Sequence, residues 1–305
     1  MREHGFVIGR LKRQKYLLTM VIPSIVFVAV FSYVPVWGML TAFFNYNPGL
    51  GIRGSPFVGL RYFKEFLTHS DFPLLMRNTL AISSLNIACS IIIPVTFAIL
   101  LNEFMFAPLK RVIQTVSYLP HFISYVVTAN LAITMLSPSG TLNTWLLKMN
   151  WIEEPVMFLT NPRGFWFLAA GINTWKETGW AAIIYIASIT NIDPQLYEAA
   201  TVDGAGRAGR IWHITLPGII PTVTVLTILA VPDLLNAGFD PSYLLGNPMV
   251  SDYSRVLDTH IYAAGIQQGR FSLATAVGIL RMGAGLILIL SANAVSRRVS
   301  EYSLF

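Results

Sequence analysis

Four charged residues sit where the chain is otherwise apolar. Lys176 and Glu177 stand side by side within one long apolar run, and Asp233 and Arg281 each interrupt another. An ionisable group in such a run is costly, and by default it faces a cavity or a partner. Adjacent helical positions are about 100° apart. Lys176 and Glu177 are therefore expected to point differently, one toward a pathway and one toward a neighbouring helix. Asp233 and Arg281 read as an ion pair between two helices; the other reading has Arg281 lining a cavity and attracting an acidic ligand. Tyr125, Asn173, Trp175, Trp180, Asn236 and Phe239 add polar groups and flat rings near these charges. Most aromatics in apolar helices are packing or interface anchors.

Other chemistry is poorly supplied. The five histidines are scattered without metal-ligand spacing, and no nucleophile stands beside a base. Gly204-Ala205-Gly206-Arg207-Ala208-Gly209 fits G-x-G-x-x-G, but that fingerprint needs a preceding strand and an acidic residue about 20 positions on. Positions 225–232 are apolar, so dinucleotide binding is disfavoured. No Gly-Lys-Ser/Thr occurs, so a phosphate-cradling loop of the Walker type is absent from the sequence.

The elements that carry these residues belong in lipid. The 305 residues are 54% hydrophobic and 12% charged, with a mean hydropathy of +0.59; soluble domains carry about 25% charged residues. A spanning helix needs about 20 mainly apolar residues. Six segments supply them, at 17–43, 77–101, 111–137, 164–190, 218–239 and 271–295. The expected fold is an all-α integral membrane protein with six transmembrane helices. The first segment is too long for a signal h-region and passes Pro23 and Pro35 without a small-residue cleavage site. Pro94, Pro120, Pro221 and Pro232 fall in later segments, where neighbours can satisfy the freed carbonyls. The single cysteine, Cys89, excludes an internal disulfide.

Basic residues set the orientation. Arg2, Arg10, Lys12, Arg13 and Lys15 precede the first segment, Lys110 and Arg111 lie between the second and third, Arg207 and Arg210 between the fourth and fifth, and Arg297 and Arg298 follow the sixth. These four groups fall on one side, while Arg53, Arg61, Lys64, Arg77, Lys148, Arg163, Arg255 and Arg270 are spread over the longer outer loops. The positive-inside rule makes the first side cytoplasmic, together with both termini. The net charge of +6 is thus a topology signal and not a nucleic-acid one. Four regions follow: a basic arm at 1–16, a first span with its outer loop at 17–76, a five-helix core at 77–295 and a tail at 296–305. The outer loops hold short helical stretches at 59–68 and 142–149.

The loop at 193–217 has the most regular local pattern. Asp193-Pro194 reads as an N-cap followed by proline at the first helical position. A short helix then runs to Asp203, with Gly204 at C′. Leu196, Ala199 and Ala200 share a face small enough for close approach by another protein. Arg210 to Leu216 is expected to form a second short helix that ends before Pro217. Such a knob suits a soluble partner.

The pattern Glu198-Ala199-Ala200, three residues, Gly204, nine residues, Ile214, one residue, Leu216-Pro217 resembles the EAA loop of the membrane subunits of bacterial ABC importers. Trp175-Lys176-Glu177, Gly179-Trp180, Ile192-Asp193-Pro194, Tyr197, Asp203-Gly204-Ala205 and Asn236-Ala237-Gly238-Phe239 are similar to the sugar-type permeases. Tyr118-Leu119-Pro120-His121-Phe122-Ile123-Ser124 and the ending Ser303-Leu304-Phe305 resemble the oligosaccharide and polysaccharide branch. The likeness covers nearly the whole chain. It implies a type I importer permease in a bacterial cytoplasmic membrane, not itself an enzyme, which moves an oligosaccharide, including an acidic polysaccharide fragment, by alternating access. It also implies a homologous permease partner in a heterodimer, two ATPase subunits holding ATP-Mg, and an extracytoplasmic solute-binding protein. Tyr197, Glu198, Ala199, Ala200, Asp203, Gly204, Arg207 and Arg210 would form the ATPase-coupling surface. Tyr125, Asn173, Trp175, Lys176, Glu177, Asp233, Asn236 and Arg281 are the candidates for the substrate path. The rival readings are an ion-coupled secondary sugar transporter and an ABC permease for a non-sugar solute.

Overall fold

The computed structural model of the chain describes residues Lys15–Val299. The arm at 1–14 and the ending at 300–305, including Ser303-Leu304-Phe305, lie outside the described residues. Among those described, the regular structure is helical, with one isolated bridge between Phe44 and Phe57. The residues divide into two compact units, one up to Leu67 together with Ala264–Ile279, the other Thr68–Ala263 with the residues from Leu280 on.

In the first unit, helix α1 (Lys15–Val28) continues through a π turn at Ala29–Tyr33 into a 3-10 run at Val34–Phe43. Proline removes an N–H and its ring crowds the preceding turn, and the π and 3-10 stretches lie between Pro23 and the end of the run. The apolar side chains of this run, such as Phe27, Phe31 and Trp37, are exposed, as lipid-facing residues would be. The chain after it is strapped to the start of the last helix. Tyr46 N–H donates to Ser272 Oγ at 3.0 Å, and Ser272 Oγ donates to the Phe44 carbonyl at 2.7 Å. Helix α2 (Arg61–Leu67) is tied in by an ion pair between Glu65 and Arg270.

The second unit is built on α3 (Phe72–Asn102) and α7 (Phe165–Thr190), which pack along their lengths. One apolar cluster joins Ile82, Ala129, Phe165, Ala169, Ala237 and Val256; a second joins Ala98, Ala182, Tyr185, Ile189 and Ile219. Small residues bring the helices close, as is common in membrane bundles. At Gly179 a Cβ would lie 1.9 Å from the Ser117 carbonyl oxygen.

The third expected span is not one helix. Helix α4 (Ala107–Phe122) and helix α5 (Tyr125–Leu136) are separated by extended backbone at Ile123 and Ser124, and the chain bends there by 106°. Ser124 caps α5 by accepting from Val127 N–H at 3.4 Å. The hydropathy of 111–137 is continuous, so a window average hides the break that Pro120 and Ser124 mark.

Helix α6 (Thr141–Lys148) occupies the stretch expected near 142–149. Helix α8 (Pro194–Val202) follows α7 after three residues. The fifth span starts earlier than expected. A continuous helical run from Arg207 to Leu235 joins α9 (Arg207–Arg210), a π turn at Ile211–Thr215, α10 (Leu216–Ala230) and a 3-10 turn at Val231–Leu235. The expected stop before Pro217 does not occur: the helix passes through Pro217 after widening into the π turn at Ile211–Thr215. Helix α11 (Phe239–Leu245) and helix α12 (Leu257–Tyr262) lie in the segment before α13 (Phe271–Val299).

Among the described residues, four helical runs are long and apolar enough to cross a membrane, or five with the bent pair counted as one span. Helix α7 forms as expected, with 26 residues, about 39 Å at 1.5 Å per residue. It is not among those runs, and Asn173, Lys176 and Glu177 lie in its middle.

Candidate substrate cavity and coupling loop

Four of the eight candidates for the substrate path meet around one cavity of about 300 Å³ in the second unit. Helix α5 brings Tyr125, α7 brings Asn173, and the end of the fifth span brings Asp233 and Asn236. Helix α3 adds Asn86 and Ser90, and α11 adds Phe239 and Asp240. The backbone breaks at both places where this lining turns. The gap at 123–124 aims the first residue of α5 inward, and Gly238, at φ +86°, lets the chain reverse between the fifth span and α11. A side chain rarely adopts that conformation, which suits glycine. Tyr125 Oη donates to Asn173 Oδ1 at 3.2 Å, and Asn236 Nδ2 donates to Asp233 Oδ1 at 3.3 Å. Phe239 stacks on Tyr243 with ring centres 4.7 Å apart. The lining is rich in acceptors and amides and suits a ligand that presents many hydroxyls.

The other path candidates lie elsewhere. Lys176 and Glu177 do not diverge. Lys176 Nζ lies 3.2 Å from Glu177 Oε1 and donates to the His121 carbonyl oxygen at 2.6 Å, while Glu177 Oε2 meets His121 Nδ1 at 2.7 Å. The 100° offset of the two Cα positions is overcome by the length of the side chains. His121 also stacks flat on Trp180, with ring centres 4.5 Å apart. Lys176 is buried, and its Nζ lies 6.0 Å from the Tyr125 ring. Trp175 lines a separate, apolar cavity of about 470 Å³ with Leu131, Met135 and Phe167.

The expected pair of Asp233 with Arg281 is replaced. Arg281 makes its ion pair with Asp258 on α12. Burial pushes the Asp258 carboxyl above its ordinary range, against the pull of Arg281. Arg281 is thus committed to a structural partner that the sequence reading did not consider.

The loop at 193–217 opens with the cap and closes with the turn that its sequence implies. Asp193 Oδ1 accepts from Gln195 N–H at 2.9 Å, and Pro194 opens α8. Gly204, at φ +80°, closes it: Gly204 N–H donates to Thr201 O at 3.1 Å and Ala205 N–H to Ala200 O at 2.8 Å, a Schellman arrangement. The glycine-rich hexad is therefore the turn of this knob, entered from a helix. Tyr197 Oη is 3.0 Å from Thr215 Oγ1, and Arg210 donates to Thr201 Oγ1 at 3.1 Å. These bonds tie α8 to the helical run after it. Arg207 donates to Met105 Sδ. Glu198, Ala199 and Asp203 are exposed, while Ala200 is half-buried. Val202 and Trp212, which the sequence reading passed over, are among the most exposed large apolar residues of the unit at 88% and 69%.

Comparisons with known proteins give the family and the fold. The family described as "Binding-protein-dependent transport system inner membrane component" matches residues 90–301. The polygalacturonan/rhamnogalacturonan transport system permease protein YteP of Bacillus subtilis is 42% identical over 296 residues, which span 97% of this chain and 92% of that protein. The trehalose/maltose transport system permease protein MalF of Thermococcus litoralis is 28% identical over 285 residues, 93% and 92% of the two chains. A crystal structure of a bacterial ABC transporter involved in the import of the acidic polysaccharide alginate contains a chain that superposes with a TM-score of 0.87 at 36% identity, covering 96% of this chain and 99% of that one. A second crystal structure, of a bacterial alginate ABC transporter with an alginate pentasaccharide-bound periplasmic protein, matches with the same score.

Proposed function

The chain belongs to the binding-protein-dependent transport system inner membrane component family, and on that premise we propose that it carries an oligosaccharide across the bacterial cytoplasmic membrane by alternating access. It is a multi-pass transport subunit, and ATP hydrolysis resides on a separate chain. The observation that carries the reading is the convergence of Tyr125, Asn173, Asp233 and Asn236 on one cavity. Helix α7 links this cavity to the knob. Asn173 lies 17 residues before its end at Thr190, about 26 Å along the axis, and α8 begins four residues later.

In the proposed cycle, a solute-binding protein delivers the saccharide to the outer loops. Two ATPase subunits hold ATP with its magnesium, and their closure pushes on Tyr197, Glu198, Ala199, Ala200, Asp203 and the Gly204 turn, with Arg207 and Arg210 beside it. The push travels along α7 and turns the helices about the cavity. A homologous permease supplies the other half of the pathway, and both termini face the cytoplasm.

Reconstitution of the four kinds of subunit in proteoliposomes tests the reading. Uptake of labelled oligosaccharide is expected to need ATP on the knob side and binding protein on the other, and to survive collapse of proton and sodium gradients. Uptake by this chain without ATPase, driven by an ion gradient, would refute it.

A further inference from the structure

The charges around the cavity are one-sided. Asp233 and Asp240 both line it, and neither has an ion-pair partner among the described residues. Its thirteen lining residues include no lysine, arginine or histidine. Two cations of the same unit are engaged elsewhere. Lys176 is held by the His121 carbonyl and Glu177, and Arg281 by Asp258.

We infer that Asp233 and Asp240 are specificity-determining residues, and that the sugar unit this chain holds is neutral. The inference rests on the cavity being part of the saccharide path. A carboxylate accepts from hydroxyls, and a charged acceptor forms a stronger and shorter hydrogen bond than a neutral one. Two adjacent hydroxyls of a sugar ring present two donors to such a group. A uronate carboxylate in the same place is only an acceptor. It would meet two like charges with no cation in the lining to offset them, a repulsion that is strongest at low salt. Asn86, Asn173 and Asn236 complete the lining with amides, which donate to and accept from hydroxyls. Carboxylated units elsewhere along the same oligosaccharide are not opposed by this cavity.

The test uses the assembled transporter of permeases and ATPases in detergent, without binding protein, so that only the membrane path selects. Matched trisaccharides that differ at C6, galactotriose against trigalacturonate and mannotriose against trimannuronate, are titrated at low salt. The neutral member is expected to bind at least about tenfold more tightly. The D233N/D240N variant is expected to bring the ratio close to one by improving acid binding, an effect that unfolding or loss of the cavity would not produce. Equal binding of acid and neutral forms by the wild type, or an unchanged ratio in the variant, overturns the inference. Binding of neither sugar overturns it as well. Saccharide uptake by the complete system in proteoliposomes then separates the two conclusions: uptake retained leaves the transport reading standing, and uptake of no saccharide removes both.

Discussion

Lys176 Nζ donates to the carbonyl oxygen of His121 at 2.6 Å, two residues before the chain turns by 106° at Ile123–Ser124. The last four carbonyls of a helix lack partners within it, and a cation there also complements the helix dipole. One turn away on α7, Asn173 accepts from Tyr125, the first residue beyond the break. Helix α7 therefore holds both arms of the elbow. Lys176→Met is expected to cost about 1–3 kcal/mol, the usual effect of removing a buried charged donor. The melting temperature of the purified complex should fall and transport should decline. A variant with wild-type melting and uptake would show that the elbow does not depend on this bond.

Gly204→Asp places a side chain at φ +80°, where one is strained, and adds a charge at the knob. Space is not the obstacle, since a Cβ there meets nothing within 4 Å. ATP hydrolysis is expected to continue in the assembled complex while its stimulation by loaded binding protein is lost. Normal stimulation together with normal uptake would remove the coupling role of this turn.

Two glycines of α7 should respond in opposite ways to alanine. At Gly179 a Cβ would collide with the Ser117 backbone, so α4 and α7 must separate, at a cost of about 1–3 kcal/mol or more. At Gly171 a Cβ meets nothing within 4 Å, and the change should be neutral or stabilising by up to about 1 kcal/mol. Thermal unfolding of both variants in the same complex measures the contrast; equal melting temperatures would contradict the close crossing.

Arg281→Met leaves Asp258 without its cation in a largely buried position, at 12% side-chain exposure. A loss of about 3 kcal/mol is expected for an orphaned buried charge, with neutral and acidic saccharides losing uptake alike. Adding Asp258→Asn should restore part of the stability. An effect confined to acidic saccharides would return Arg281 to the substrate path.

Asp71, just before α3, is held below the ordinary carboxylate range, first by the hydrogen bond from Arg255 and further by the charges of Arg255, His69 and His260; burial opposes this. A depressed folded-state value gives stability that is present above the ordinary carboxylate range and lost as the pH falls through the folded value. Arg255→Met should therefore lower the melting temperature at neutral pH, modestly because both side chains are about a third or more exposed. The gap to wild type should close on acidification. A gap that persists or widens in acid would contradict the pairing.

The helical class, the lipid setting and the capped helix and turn at 193–204 were legible in the residues themselves. Each depends on local causes. Apolar runs long enough to cross a bilayer need no distant partner to be recognised, and Asp193-Pro194 and Gly204 start and stop α8 by their own backbone preferences. The same locality gave the short helices at Arg61–Leu67 and Thr141–Lys148.

Tertiary structure alone decided which polar groups meet. Arg281 pairs with Asp258 and not with Asp233, and Lys176 and Glu177 turn together onto His121. Asn86, Ser90 and Asp240 join Tyr125, Asn173, Asp233 and Asn236 at the cavity, although no spacing in the sequence links them. The physical reason lies in the two interruptions, at Ile123–Ser124 and at Asn236–Gly238. A hydropathy window averages across such breaks, yet they set the directions of the segments that follow, and those directions determine which charges are neutralised and which are left facing the cavity.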